Sequence, residues 1–525
     1  MRRALGAVAL LCCALVGAGC GVTTSGPVVR TLDGRVRGRL VGATNEFLGI
    51  PYAAPPVGAL RWRPPQPVAP WRGVRAAATS PPRCAQPGGR DQPGSTDERC
   101  LRLSVYRPRG TTAHDRLPVL FWIHGGALTI GSSNQHDGSL FAQTDHIEVV
   151  SIDYRLGAFG YFDLPGLPAG AGASGDFGLL DQEAALRWTH ANIARFGGDP
   201  RRITIAGESA GAYSVCALLT SPPVRGLFRA AIMQSGSCKT RAPVVAQAHA
   251  LSFAFAAGCP FAGAMLRCMR GKSVGRLLRD PRYPPDHVPA VGGPALPVAP
   301  ATQVARGRFA HVPILIGTNR DEARLFSKRF ADAPETTYVK LIHAEYGLQA
   351  PAVLAEYPWS SFPEPDRTAY ALGAVWTDSA FVYGIGGCGE ERLAAQFARR
   401  TPTWFYEFDD TSAPATAGKA PGYRPGADHT AELPYMWPSY DRASSAYRRL
   451  DPGQRELSRW MLRYWGAFVK TGDPNVAGQT PWPRDGRSRQ MLSLRPGSSS
   501  VAIPVSSFAE EHRCSFWDAL PGEPG

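Results

Sequence analysis

No run of five or more basic residues occurs in this chain of 525 residues, and no two cysteines have the C-x-x-C spacing. No apolar stretch after the first twenty residues approaches the about 20 needed to cross a bilayer as a helix. The first absence argues against nucleic acid: the formal net charge is +14, but the arginines are scattered. The second argues against a zinc site, and no other cofactor or metal is expected. The third leaves only the N-terminus as a membrane-directed segment. No internal repeat and no Gly/Ser linker divides the sequence, so a length compatible with two or three domains reads instead as one elaborated unit over 28–520.

The first twenty residues form a signal peptide: Arg2-Arg3, an apolar run from Ala4 to Val16, then Gly17-Ala18-Gly19-Cys20. Cys20 after small residues resembles a bacterial lipobox, although Gly17 departs from the usual leucine; a diacylglycerol on Cys20 would be the one membrane attachment. Residues 21–27 are a short linker, and the protein is expected to be secreted or held at the cell envelope. Eight cysteines lie beyond the signal segment: Cys84, Cys100, Cys216, Cys238, Cys259, Cys268, Cys388 and Cys514. An even number in an exported chain argues for disulfides.

Val28–Leu32 and Arg35–Val41 read as antiparallel strands joined by Asp33-Gly34, a dipeptide favoured in two-residue turns. Pro-rich coil follows. From residue 117 continuous apolar runs appear at 117–123, 147–152, 203–206, 230–233, 312–316 and 403–408, the pattern of strands buried on both faces. Helical stretches such as 180–193, stopped by Gly197-Gly198-Asp199-Pro200, separate them. Strands alternating with helices give an α/β fold, a mostly parallel sheet with helices on both faces. Segments 240–310 and 325–400 break the rhythm and read as helical insertions over the strand ends.

One stretch organises the chemistry. In Gly207-Glu208-Ser209-Ala210-Gly211 a β-branched run breaks, presents a serine and resumes as a helix, the outline of a nucleophile elbow. A serine needs an imidazole to take its proton and a carboxylate to orient that imidazole. In the order serine, acid, histidine, the base is His343, His429 or His512. His343 sits in an ordinary helical pattern and His512 crowds Cys514, whereas His429 lies in a Gly/Pro loop after the strand 403–408. For the acid, Asp321 and Glu322 stand together after the strand 312–316, and the residues alone do not choose between them. His124-Gly125-Gly126-Ala127 ends the strand 117–123 with small residues whose amides could stabilise an oxyanion.

Several further segments carry a resemblance: Phe47-Leu-Gly-Ile-Pro-Tyr-Ala53, Trp122-Ile-His-Gly-Gly-Ala127, Asp153-Tyr-Arg-Leu-Gly157, Gly178-Leu-Leu-Asp-Gln182, Phe196-Gly-Gly-Asp-Pro200 and Gly472-Asp-Pro-Asn475. With the elbow, they make the chain similar to the type-B carboxylesterases of the α/β-hydrolase fold, the family of cholinesterases and bacterial para-nitrobenzyl esterases. The resemblance implies hydrolysis of small-molecule carboxylic esters through an acyl-enzyme. It puts the nucleophile on Ser209, the acid on Glu322, the base on His429 and the oxyanion donors on Gly126, Ala127 and Ala210. It also implies disulfides Cys84–Cys100, Cys259–Cys268 and Cys388–Cys514, with Cys216 and Cys238 remaining for each other. Three departures stand out: Ala127-Leu128 for the commoner Gly-Phe, Asp176 for Asn, and Thr430 for the Gly after the histidine; the last two are expected at the rim of the substrate cavity. No aromatic residue lies between Cys84 and Cys100, which argues against choline esters. Alternatives on the same fold are a catalytically inactive adhesion protein, or a lipase, polyesterase or amidase with the same triad. Acyl length, alcohol group and oligomeric state are not written in these motifs.

Overall fold

The structure, a computed structural model, describes residues 26–520 apart from 90–92, 165–166, 168–174, 261, 281–287, 383, 417–421 and 441–445. Residues 1–20, expected to be a signal peptide ending at Cys20, and residues 21–25 of the expected linker lie outside the described residues. Fourteen strands are described. The N-terminal ones are β1 (Val28–Arg30), β2 (Arg35–Arg37), β3 (Arg39–Val41), β4 (Thr44–Pro51), β5 (Val74–Ala76) and β6 (Arg102–Pro108). The central ones are β7 (Leu117–Ile123), β8 (Glu148–Ile152), β9 (Gly198–Glu208), β10 (Ala230–Gln234), β11 (Ile314–Asn319) and β12 (Thr403–Phe408). Last come β13 (Gln490–Leu494) and β14 (Val501–Pro504).

Eleven of these form one sheet, in the order β14-β13-β12-β11-β10-β9-β7-β8-β6-β4-β3. Every neighbouring pair from β13 to β8 is parallel, while β14 and the β6-β4-β3 end run antiparallel. The apolar runs are explained by the two faces of this sheet. Val119, Phe121 and Ile123 of β7 join the core beneath the helices Phe177–Asn192 and Ala210–Thr220, while Leu120 and Trp122 turn to the helix Pro452–Thr471. Ile314 and Ile316 of β11 likewise face one layer and Leu315 the other. Alternate residues are all apolar because both faces are covered.

Two local readings change. The first hairpin is not closed by two residues: Arg30 pairs with Arg35, so the loop holds 31–34. Its residues are drawn to the helix Phe177–Asn192, where the Leu32 amide donates to Asn192 Oδ1 (2.8 Å) and Trp188 Nε1 donates to Asp33 Oδ2 (3.0 Å). Gly38 then splits the second predicted strand into β2 and β3, because a Cβ there would come within 2.4 Å of the Glu46 carbonyl oxygen. The stretch 197–200 both ends the helical region and opens β9 at Gly198.

The inserted segments form small cores of their own. One gathers Trp62, Phe159, Phe253, Met265 and Met269; the other packs the helices Glu335–Tyr346 and Arg367–Asp378 against Cys388, Cys514 and Trp517. Disulfides join Cys84 to Cys100, Cys216 to Cys238, Cys259 to Cys268 and Cys388 to Cys514, the same four pairs written above as expectations. Cys216–Cys238 ties the helix Ala210–Thr220 to the segment leaving β10.

Candidate active site

Ser209 stands between the end of β9 and the helix Ala210–Thr220 with φ 55° and ψ −123°, a strained conformation for a non-glycine residue. The flanking glycines permit it. A Cβ on Gly207 would lie 2.4 Å from the Gly211 carbonyl carbon, and one on Gly211 would lie 2.1 Å from the Ile123 carbonyl oxygen. Only bare backbones fit a turn this tight. The Ser209 amide donates to the Gln234 carbonyl at 2.9 Å, fixing the elbow to β10.

The Ser209 hydroxyl donates to His429 Nε2 at 2.9 Å, and His429 Nδ1 donates to Glu322 Oε2 at 2.7 Å. Glu322 is held in turn: its Oε1 accepts from the Asn319 amide (2.7 Å) and the Thr318 hydroxyl (3.1 Å). Of the two adjacent acids, Glu322 is the one that bonds to His429. Asp321 turns away to pair with Arg324 (2.9 Å) and to accept the Ala427 amide (3.0 Å), bracing the loop that carries His429. Gly426 leaves room for it, since a Cβ there would lie 2.2 Å from Asp321 Oδ2. The other histidines lie elsewhere: His343 is exposed on the helix Glu335–Tyr346, and His512 is buried between Asp378 and Glu407.

Above Ser209 the loop after β7 runs through three successive positive φ values, Gly126 (101°), Ala127 (54°) and Leu128 (53°). His124 Nδ1 donates to the Gly125 carbonyl (2.8 Å), and Tyr154 donates to the His124 carbonyl (2.7 Å), so side chains pin the loop. Burial lowers His124 to about 4, keeping it neutral. Gly125 lies against the elbow, where a Cβ would come within 2.6 Å of Glu208 Oε2 and 3.1 Å of Ser209 Cβ. Among the described residues, the amides of Gly126, Ala127 and Ala210 donate to no protein acceptor.

Sequence reasoning missed a shell of buried carboxylates. Glu208 Oε1 lies 3.3 Å from His429 Nε2, and Glu432 accepts from Gln234 (3.1 Å) and Asn319 (2.7 Å). Burial pushes Glu208 well up and Glu432 up to about 7. Burial also opposes charge on His429, but the nearby Glu208 and Glu322 outweigh it and raise this histidine to about 10. His429 and Glu208 therefore compete for one proton as a coupled pair. The only sequence signal was position: Glu208 is the residue before the serine, and Glu432 follows His429 by three.

A cavity of about 320 Å³ opens onto Ser209. Gly125–Ala127, Ile130, Gln135 and His136 form one wall, Tyr213, Leu325, Phe326 and Tyr440 contribute apolar surface, and Thr430 lies beside His429. Leu325 and Phe326 are the contribution of the inserted segments, with the Phe326 ring 5.4 Å from that of His429. Thr430 meets the expectation for its position, at φ 75° and bonded to Thr416 (2.7 Å). Asp176 does not line this cavity; its Oδ1 accepts the Ala290 amide (2.9 Å) beside a separate small cleft. Among the described residues no cluster of His, Cys, Asp and Glu could hold a metal ion.

Comparison with known proteins agrees in extent as well as kind. The family model described as the carboxylesterase family matches residues 25–517. Human cocaine esterase is 33% identical over 557 residues, covering 99% of this chain and 96% of that protein. The medium-chain fatty acyl-CoA hydrolase precursor of Anas platyrhynchos is 32% identical, covering 94% and 92%. Mouse acylcarnitine hydrolase is 32% identical, covering 94% and 90%.

Proposed function

Because the chain belongs to the carboxylesterase family and is a carboxylic ester hydrolase with the α/β-hydrolase fold, we propose that it cleaves esters with a Ser209–His429–Glu322 triad through an acyl-enzyme. The observation that carries this reading is the unbroken relay at the floor of the cavity, 2.9 Å from Ser209 Oγ to His429 Nε2 and 2.7 Å from His429 Nδ1 to Glu322. His429 takes the hydroxyl proton as Ser209 Oγ attacks the ester carbonyl carbon. The resulting oxyanion is stabilised by the amides of Gly126, Ala127 and Ala210, whose donors have no protein partner among the described residues. Each such donor is worth about 2.7–4 kcal/mol in the transition state. His429 returns its proton to the departing alcohol, then activates water, and the second attack frees the carboxylic acid and Ser209. His429 acts as base in its neutral form, which the charges of Glu208 and Glu322 disfavour.

The cavity's size and apolar wall suit uncharged esters with short acyl and modest alcohol groups. The fatty acyl-CoA and acylcarnitine named for two relatives extend the candidate alcohol and thiol groups. We further propose that residues 28–520 act as one domain and that the protein is exported by the segment 1–20, a reading four disulfides support. Ser209→Ala protein is expected to lose p-nitrophenyl acetate and butyrate hydrolysis by at least about 10³-fold. Undiminished turnover, or an organophosphate adduct mapped by mass spectrometry to another residue, refutes the assignment.

A further inference from the structure

We propose that the outer face of the three-stranded sheet β1-β2-β5 is a docking surface for an anionic phospholipid bilayer. Strand register defines the face. Val29 and Val36 pair with one another and point into the core, where they are 5% and 0% exposed. Their neighbours point outward, in two rows across the sheet: Val28, Arg37 and Ala76, then Arg30, Arg35 and Val74.

Fold stability does not account for this composition. Arg30 stands directly opposite Arg35 in an antiparallel pair, and like charges so placed are destabilising. Among the described residues none of Arg30, Arg35 and Arg37 has a carboxylate partner. Asp33 is the sole acid in 26–45, and its carboxylate accepts from Trp188. A surface that holds arginines together without counter-ions is complementary to an external anion.

The interleaved apolar residues choose which anion. Val28, Leu32 and Val74 account for three of the twelve large apolar side chains left exposed among the described residues. Leu32, at the tip of the β1–β2 loop, is 60% exposed. Trp71, packed against the core, fixes the edge of the sheet from behind this face, with the Arg75 guanidinium 4.3 Å over its ring and its Nε1 donating to the Arg35 carbonyl. A polynucleotide or a free phosphate would use the arginines and leave the aliphatic side chains in water. A bilayer uses both, guanidinium groups at the phosphates and aliphatic groups at the headgroup boundary.

Position in the chain fits. β1 begins eight residues after Cys20, so any anchor there would deliver this face to the membrane first. The sheet packs on Trp188 and Asn192 at the carboxyl end of the helix Phe177–Asn192, where the chain turns back to start β9. Ser209 is at the other end of β9, so occupation of this face leaves the cavity uncovered.

The test is partition of the protein onto phosphatidylglycerol/phosphatidylcholine vesicles and onto pure phosphatidylcholine vesicles. The wild type is compared with R30Q/R35Q and R30K/R35K, all with the same N-terminus. Each arginine near an anionic surface contributes about fivefold, so R30Q/R35Q is expected to bind the anionic vesicles about 25-fold more weakly. R30K/R35K is expected to keep binding, and added salt to weaken it in the wild type. Hydrolysis of p-nitrophenyl acetate in solution should be unchanged in every variant, and the thermal midpoint of R30Q/R35Q should not fall, since a like-charge pair is relieved. Equal wild-type partition onto both vesicle types, or R30Q/R35Q binding as strongly as wild type, overturns the proposal. So does a wild type that ignores vesicles but self-associates through these arginines, which would give the face to a second copy of the chain.

Discussion

A carboxylate 3.3 Å from the imidazole nitrogen that must accept a proton changes the pH at which that imidazole works. Glu208 and Glu322 both favour the charged form of His429 and raise it above an ordinary histidine. The neutral, basic form therefore appears at higher pH than it would without them. Glu208→Gln removes one negative charge from this set while keeping the side-chain shape. The acid limb of the kcat/KM–pH profile is expected to move to lower pH by about 1 unit or more, with kcat on the plateau also changed. A limb that stays in place would mean that Glu208 carries no charge in the working enzyme. The members of the proposed triad were legible in the sequence because their chemistry demands a type and an order: a serine in a glycine-framed turn, then an acid, then a histidine. Glu208 was not, since the position before the serine in G-x-S-x-G accepts any residue and its role exists only once β9 and the His429 loop meet. Glu322 became distinct from Asp321 by resemblance alone. In the fold, one faces His429 and the other the Ala427 amide.

Larger pieces are joined by His512, which sequence reasoning set aside as a base. Its Nδ1 donates to Asp378 Oδ1 (2.7 Å) at the end of the helix Arg367–Asp378, and its Nε2 to Glu407 Oε1 (2.8 Å) on β12. Arg513 and Tyr357 also reach Asp378. Burial opposes a charged His512, but the two carboxylates win and raise it well above the usual value. One proton thus clamps an inserted helix, the central sheet and the C-terminal segment. The raised affinity belongs to the folded state, so its contribution is complete below the unfolded value of about 6.5 and is lost as pH rises through the folded value. Thermal midpoints should accordingly fall from neutral toward alkaline pH. His512→Gln should lower stability at neutral pH by about 3–5 kcal/mol, because buried Glu407 loses its cation and Asp378 keeps only Arg513 at 3.6 Å, and should flatten that dependence. Chemical denaturation across pH measures both, and an unchanged slope in the variant would remove His512 as the cause. At this scale the central strands were legible, since a strand covered on both faces must be apolar throughout. The hairpin loop was misread because Leu32 and Asp33 are claimed by the distant helix Phe177–Asn192, a partner that turn chemistry does not reveal.

Across the whole molecule, cysteine usage, the N-terminal segment and the basic surface bear on one question, where the protein resides. Four disulfides, one of them closing 126 residues between Cys388 and Cys514, require an oxidising environment to form and persist. A single acyl chain holds a protein to a bilayer only marginally, whereas two chains, or one with a basic patch, hold it firmly. A diacylglycerol on Cys20 next to the arginine-studded face of β1-β2-β5 would combine both. The two contributions differ in their response to salt: attraction between arginines and headgroups is screened, whereas acyl insertion is not. Protein anchored through Cys20 should therefore stay in the membrane fraction through a high-salt wash. Its N-terminal peptide should begin at Cys20 and carry the mass of the diacylglyceryl group. Release of most of the protein by salt, or a retained N-terminal peptide with an unmodified Cys20 or a different first residue, would rule out the proposed lipid anchor at Cys20 and leave any attachment to the arginine face alone.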